Sequence, residues 1–136
     1  MRRNGFTLLE LLVVLVIIGL LVGIVGPQLF KNVGKSEITT ARAQIDALGK
    51  AIDQFRLDNG RYPSSEEGLS ALVNKPANAP NWNGPYLKKA VPLDPWGDSY
   101  LYHVPGTHNN NDYDLYSYGP DKAPGGTDEN ADIGNW

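Results

Sequence analysis

Gly5-Phe6-Thr7-Leu8-Leu9-Glu10 runs without a break into the apolar stretch Leu11–Val25, and Arg2, Arg3 and Asn4 stand before it. From Phe6 to Val25 the segment is about 20 residues, roughly 30 Å as a helix, which matches a bilayer core. A single acid, Glu10, sits near its head. An ionised carboxylate in hydrocarbon is costly, so a Glu there normally has a partner and a task.

The flanks discriminate between readings of this segment. A cleaved secretory signal ends in an A-x-A-like site, whereas here Gly23, Gly26 and Pro27 lead straight into Gln28, Leu29, Phe30 and Lys31. A plain transmembrane anchor fits the length and the basic N-terminus but leaves Glu10 unexplained. The residues Gly5 to Glu10 ahead of an apolar helix resemble the N-terminus of the type IV pilin class. That resemblance implies cleavage by a prepilin peptidase between Gly5 and Phe6 and methylation of the new Phe6 amine. Processing would leave a charged amine four residues from Glu10. In a filament, Glu10 of one chain would pair with the Phe6 amine of a neighbour, and loss of either would strand a buried charge.

Length and composition bound the rest of the chain. It has 136 residues and no Cys, enough for one modest domain beyond the helix and without a disulfide framework. Twelve basic residues face 15 acids, a formal −3, and loss of Arg2 and Arg3 would leave ten bases, or −5. With no basic face, nucleic acid is not an expected partner.

Past Pro27, Leu29, Val33, Ile38, Ala41, Ile45, Leu48, Ile52 and Phe55 recur at helical spacing, with charged residues between them. The pattern predicts one long helix with a buried stripe, ending near Asp58-Asn59-Gly60 in a left-handed cap before Pro63. Pro27 lacks an N–H and predicts a bend, or melting during assembly, at mid-helix. Farther on, Ser64 to Gly68 predicts a serine-capped short helix over Leu69–Val73. Pro76, Pro80 and Pro85 predict a loop around Trp82, and Asp94-Pro95-Trp96-Gly97-Asp98 a turn. Alternation predicts strands at Tyr100–Val104 and Tyr113–Tyr118, joined through Gly106 to Asn111. Two or three antiparallel strands would cover the helix stripe.

Arg61-Tyr62-Pro63, Glu67-Gly68-Leu69, Asp94-Pro95-Trp96-Gly97, Ser117-Tyr118-Gly119-Pro120-Asp121 and Asp132-Ile133-Gly134-Asn135-Trp136 are together similar to the major pseudopilin of the type II secretion system, the GspG family. The resemblance covers essentially the whole chain. It implies an α+β, type IV pilin-like fold: a long N-terminal helix, transmembrane in its first half, on a small antiparallel sheet with a C-terminal calcium loop. It divides the chain into a leader (1–5), a transmembrane and polymerisation helix (6–27) and a periplasmic domain (28–136). Glu10 and Pro27 become the assembly residues. The expected partners are the chain itself as a helical homopolymer, minor pseudopilins, an inner-membrane platform, the prepilin peptidase, and membrane lipid before assembly. The expected location is the bacterial inner membrane, single-pass, then a periplasmic pseudopilus.

From Asp112 onward there are six acids (Asp112, Asp114, Asp121, Asp128, Glu129 and Asp132) and one base, Lys122. Such a loop is usually just solvated, although calcium favours carboxylate and carbonyl oxygens on a pliable backbone. Asp128-x-Asn130-x-Asp132 is no EF-hand, since Ile133 stands where the turn glycine belongs. The family resemblance, not the composition, implies a structural calcium ion on Asp121, Asp128 and Asp132, with main-chain oxygens of Tyr118 and Ala123. Glu129 is a competing choice. No HExxH, phosphate loop or nucleophile constellation is present in the sequence. His103 reads as a strand-face residue, His108 as a turn residue, and Trp82, Trp96 and Trp136 as packing. A type IV pilin or competence pseudopilin would share the N-terminus but not the calcium loop, and a membrane-tethered binding domain would need neither cleavage nor Glu10.

Overall fold

The computed structural model describes residues 5–136, apart from the side chains of 27–31 and 129. Arg2 and Arg3 of the expected leader therefore lie outside the described residues. A 52-residue helix, α1, spans Leu8–Asn59. The helix continues through Gly26 and Pro27 without a break. The chain divides into two compact units, one ending at Lys35 and the other spanning Ser36–Trp136.

In the first unit the span Leu8–Gly26, with a mean hydropathy of 3.2, is long and apolar enough to cross a membrane, and none of it is buried. Leucine, valine and isoleucine side chains face outward on every side. A helix apolar all round needs lipid or neighbouring helices to cover it. It begins two residues later than Phe6, because Thr7 caps it: the Glu10 N–H donates to Thr7 Oγ1 at 3.2 Å.

The second unit is built on the C-terminal part of α1. Ala41, Ile45, Leu48, Ala51, Ile52 and Phe55 are buried, and Ile38 packs against them. Ala51 widens the stripe expected from the sequence, while Val33, assigned to it by spacing, is exposed. The helix stops as expected at Asn59. Gly60 adopts φ +72°, its N–H donates to the Arg56 carbonyl at 2.7 Å, and Asn59 Nδ2 donates to the Phe55 carbonyl at 2.9 Å.

The expected short helix is a 3-10 turn, Gly68–Leu72, and its first residues carry no side-chain cap. The serine cap lies one turn earlier. Ser64 Oγ accepts the Glu67 N–H at 3.1 Å, and Glu67 Oε2 accepts the Ser64 N–H at 3.0 Å. This reciprocal box closes the turn before Gly68, whose φ of +63° prevents a regular α-helix from continuing.

Three strands form one antiparallel sheet in the order β1 (Leu101–His103), β2 (Asp114–Ser117), β3 (Ile133–Gly134). Tyr102 stands opposite Leu115, and Tyr116 opposite Gly134. Tyr102, Leu115 and Ile133 join the helix stripe in one core with Tyr100, Tyr113, Leu69 and Leu72. β3 comes from the segment read as acidic loop. Two residues carry no visible alternation, so only their pairing with β2 makes them a strand.

Candidate assembly segment and C-terminal loop

The Gly5–Phe6 bond lies in non-helical, exposed chain just ahead of α1, a conformation open to a protease. Phe6, Leu9, Glu10, Val13 and Val14 line a shallow apolar groove of about 360 Å³. Glu10 lies in the first turn of α1, where the helix dipole favours an anion. The carboxylate is exposed on the same apolar surface as Phe6.

The acids of the C-terminal stretch do not act as one group. Asp112 accepts the Tyr62 hydroxyl at 2.9 Å and lies 3.8 Å from Arg56, so it ties the end of α1 to the loop before β2. Asp114, counted in the sequence among the acids of the C-terminal stretch, is 1% exposed. Its carboxylate accepts the backbone N–H groups of Thr107, His108 and Asn109 at 2.8–3.0 Å and the Thr107 hydroxyl at 3.0 Å. Burial alone would push this carboxyl up, but the N–H groups of His108, Asn109 and Thr107 outweigh it and hold the carboxyl well below the usual carboxylate range. Asp112 and Asp114 therefore serve the fold.

Asp121, Asp128, Glu129 and Asp132 remain for the terminal loop, and the side chain of Glu129 lies outside the described residues. Asp121 Oδ1 accepts the Ala123 N–H at 3.3 Å, and Asp132 Oδ2 accepts the Gly125 N–H at 3.1 Å. Both carboxylates thus grip the 123–125 stretch, whose residue Ala123 and the preceding Tyr118 are the expected carbonyl donors. Asp132 Oδ1 is buried without a hydrogen-bond partner, as are Asn59 Oδ1 and Trp96 Nε1. A side chain at Gly126 (φ +97°) would place its Cβ 2.2 Å from the Asn130 carbonyl oxygen and 3.1 Å from Asp121 Oδ2. Gly126 therefore allows the Asn130 carbonyl to approach the backbone more closely than any side chain would permit. Asp128 takes a left-handed φ of +53° at the start of the 3-10 turn Asp128–Asn130, and is exposed. Among the described residues no three acidic, histidine or cysteine side chains converge as a metal cluster. The close approach of the Asn130 carbonyl to Gly126 has no side-chain signature in the sequence. The Gly125-Gly126 pair is the only hint of a close approach.

Several other polar and aromatic groups serve packing. Arg61 forks onto Glu67 at 2.9 and 3.0 Å, and this bidentate pair lowers the Glu67 carboxyl. Trp82 Nε1 donates to the Ala71 carbonyl at 2.8 Å. His103 is an exposed strand residue, as expected. His108 stacks on Trp136, with ring centroids 3.8 Å apart and planes 5° apart.

A family model described as the type II secretion system (T2SS), protein G, matches residues 28–136. The chain belongs to the type II secretion system protein G family. The prokaryotic N-terminal methylation motif matches residues 1–26. The type II secretion system core protein G of Pseudomonas aeruginosa is 46% identical over 138 residues, covering 99% of this chain and 96% of that protein. Core protein G of Vibrio cholerae is 44% identical, covering 99% and 92%. The crystal structure of the major pseudopilin from the type 2 secretion system of enterohaemorrhagic Escherichia coli matches with a TM-score of 0.66 at 39% identity, covering 79% of this chain and 89% of that one. The long helix and small antiparallel sheet are the pseudopilin fold, and this member of the protein G family is a structural pseudopilus subunit, not an enzyme. Its apolar helix and methylation motif fit a membrane-anchored subunit.

Proposed function

We propose that this protein is the major subunit of the pseudopilus, made as a single-pass protein of the bacterial inner membrane and polymerised in the periplasm to help export folded proteins across the outer membrane. The observation that carries this reading is the uncovered apolar helix Leu8–Gly26, bearing one acid in its first turn, on the same chain as a protein G domain. Lipid covers that surface before assembly, and the equivalent helices of neighbours cover it afterwards. Subunits repeat head to tail in an open, heterologous array. Glu10 gains the Phe6 amine of a neighbour once the prepilin peptidase has removed residues 1–5, and that pair fixes axial register. Minor pseudopilins and an inner-membrane platform driven by a cytoplasmic ATPase complete the assembly. Gly19, Gly23, Gly26 and Pro27 mark where the helix would loosen on leaving the bilayer.

The terminal loop suits calcium. Its donors are hard oxygens, Asp132 Oδ1 is buried and unpartnered, and a Cβ at Gly126 would crowd the Asn130 carbonyl and Asp121 Oδ2. Asp121 and Asp132, with Asp128 and the main-chain oxygens of Tyr118 and Ala123, are the residues that would hold the ion. Calcium there supplies charge neutralisation and a cross-link that a cysteine-free domain otherwise lacks.

The decisive experiment expresses Glu10→Ala and Gly5→Leu variants beside a functioning secretion system. Glu10→Ala should insert and be processed but form no filament, and Gly5→Leu should retain its leader. Normal filaments from Glu10→Ala would overturn the assembly role, and normal processing of Gly5→Leu would overturn the peptidase assignment.

A further inference from the structure

Asp94 is 5% exposed and Ser117 is fully buried, and neither has a part in the function argued above. Asp94 Oδ1 accepts the N–H groups of Trp96 at 3.1 Å and Asp98 at 2.8 Å, closing the 94–98 turn. A turn needs no more than that from its first residue, and Asn or Ser would supply it. The second oxygen does something else: Asp94 Oδ2 accepts the Ser117 hydroxyl at 2.6 Å.

A serine hydroxyl has one proton and two lone pairs. With the proton committed to Asp94, a lone pair faces the Gly119 N–H, which donates to Ser117 Oγ at 3.1 Å. Gly119 has φ +80°, and its carbonyl accepts the Lys122 N–H at 3.3 Å. Asp121 lies inside the turn that this bond closes. A second tie joins the same two segments, where Lys122 Nζ lies 3.6 Å from Asp98. A buried carboxylate thus sets the orientation of a buried hydroxyl, which sets the backbone from which Asp121 projects.

We propose that Asp94 is a positioning residue for the calcium loop, acting through Ser117 to set the loop's affinity for the ion. This inference rests on the calcium reading given under the proposed function. It gives the Asp94-Pro95-Trp96-Gly97 motif a purpose beyond turning the chain, and it makes the 94–98 turn respond to ion binding.

The test titrates the processed full-length chain in detergent micelles with calcium chloride by calorimetry, at a temperature where circular dichroism shows each variant folded. Asp94→Asn retains turn-closing oxygen but loses the charge, and Ser117→Ala removes only the hydroxyl. Each should weaken calcium binding at least tenfold relative to the unaltered chain. In the unaltered chain, calcium should also shift the amide resonances of Trp96 and Asp98 along with those of Gly119 and Asp121, a readout that needs no variant to fold. Unchanged affinity in both folded variants, or turn amides that ignore calcium while the loop amides move, would overturn the positioning role and leave Asp94 as a fold residue. An unaltered chain that takes up no calcium would instead overturn the calcium reading itself, and this inference with it.

Discussion

At the scale of single residues, the core and the buried acids behave differently. Phe55 is fully buried and packs edge-on against Tyr86, with centroids 5.8 Å apart. Phe55→Ala should cost about 3–5 kcal/mol, by loss of transfer energy and creation of a cavity. Denaturant unfolding of the chain in micelles should show an earlier midpoint with an unchanged slope. Asp114 has its pKa held below the ordinary 3.8 in the folded state, so its ionised form favours folding. That contribution is complete above pH 3.8 and is lost as pH falls through the lower folded value. Asp114→Asn should lower stability at neutral pH by roughly 2–3 kcal/mol, as backbone donors lose a charged acceptor. It should also flatten the acid limb of a stability-versus-pH curve, leaving the part due to Glu67, whose pKa is likewise lowered. An acid limb identical to that of the unaltered chain would contradict this account. Period-two alternation marked the strand around Asp114 but could not reveal that the 107–109 backbone folds over it and encloses that carboxylate.

At the scale of elements, α1 was the most legible. Its apolar spacing from Ile38 onward and Asn59-Gly60 at its end are local signals realised in the structure, whereas the Thr7 cap at its start was not read from the sequence. At Gly60 a Cβ would meet nothing within 4 Å, while φ is +72°. Gly60→Ala therefore tests backbone strain alone and should cost about 1 kcal/mol, read as a fall in melting temperature with the same core. The strands were legible as positions but not as a sheet. β1 and β2 have alternation of their own, whereas β3 is two residues long and exists through its register with Tyr116 and Ser117. The short helix after Ser64 was right in place and wrong in kind, because Gly68 turns left-handed and resets the hydrogen bonding to 3-10.

At the scale of the whole molecule, the prediction concerns calcium. An ion that binds only the folded state stabilises it by about 2.7 kcal/mol at a hundredfold excess over its dissociation constant. Thermal melts in calcium should therefore lie above those in chelator, and the gap should vanish in Asp121→Ala. Melts that coincide in both proteins would remove calcium from the account while leaving the family and the membrane helix intact. The sequence by itself determined the apolar span with Glu10, the processing motif, the amphipathic stripe, the helix cap and the turn positions. All of these depend on neighbours within about one helical or strand repeat, where spacing and backbone preference decide the outcome. Only the tertiary structure decided that Val33 lies outside the core, that Asp112 and Asp114 leave the acidic loop, that residues 133 and 134 form a strand, and that Asp94 reaches Ser117 across 23 residues of chain. Each of those depends on which distant segment supplies a donor or covers a face, and a side chain's type cannot specify that until the chain has folded around it.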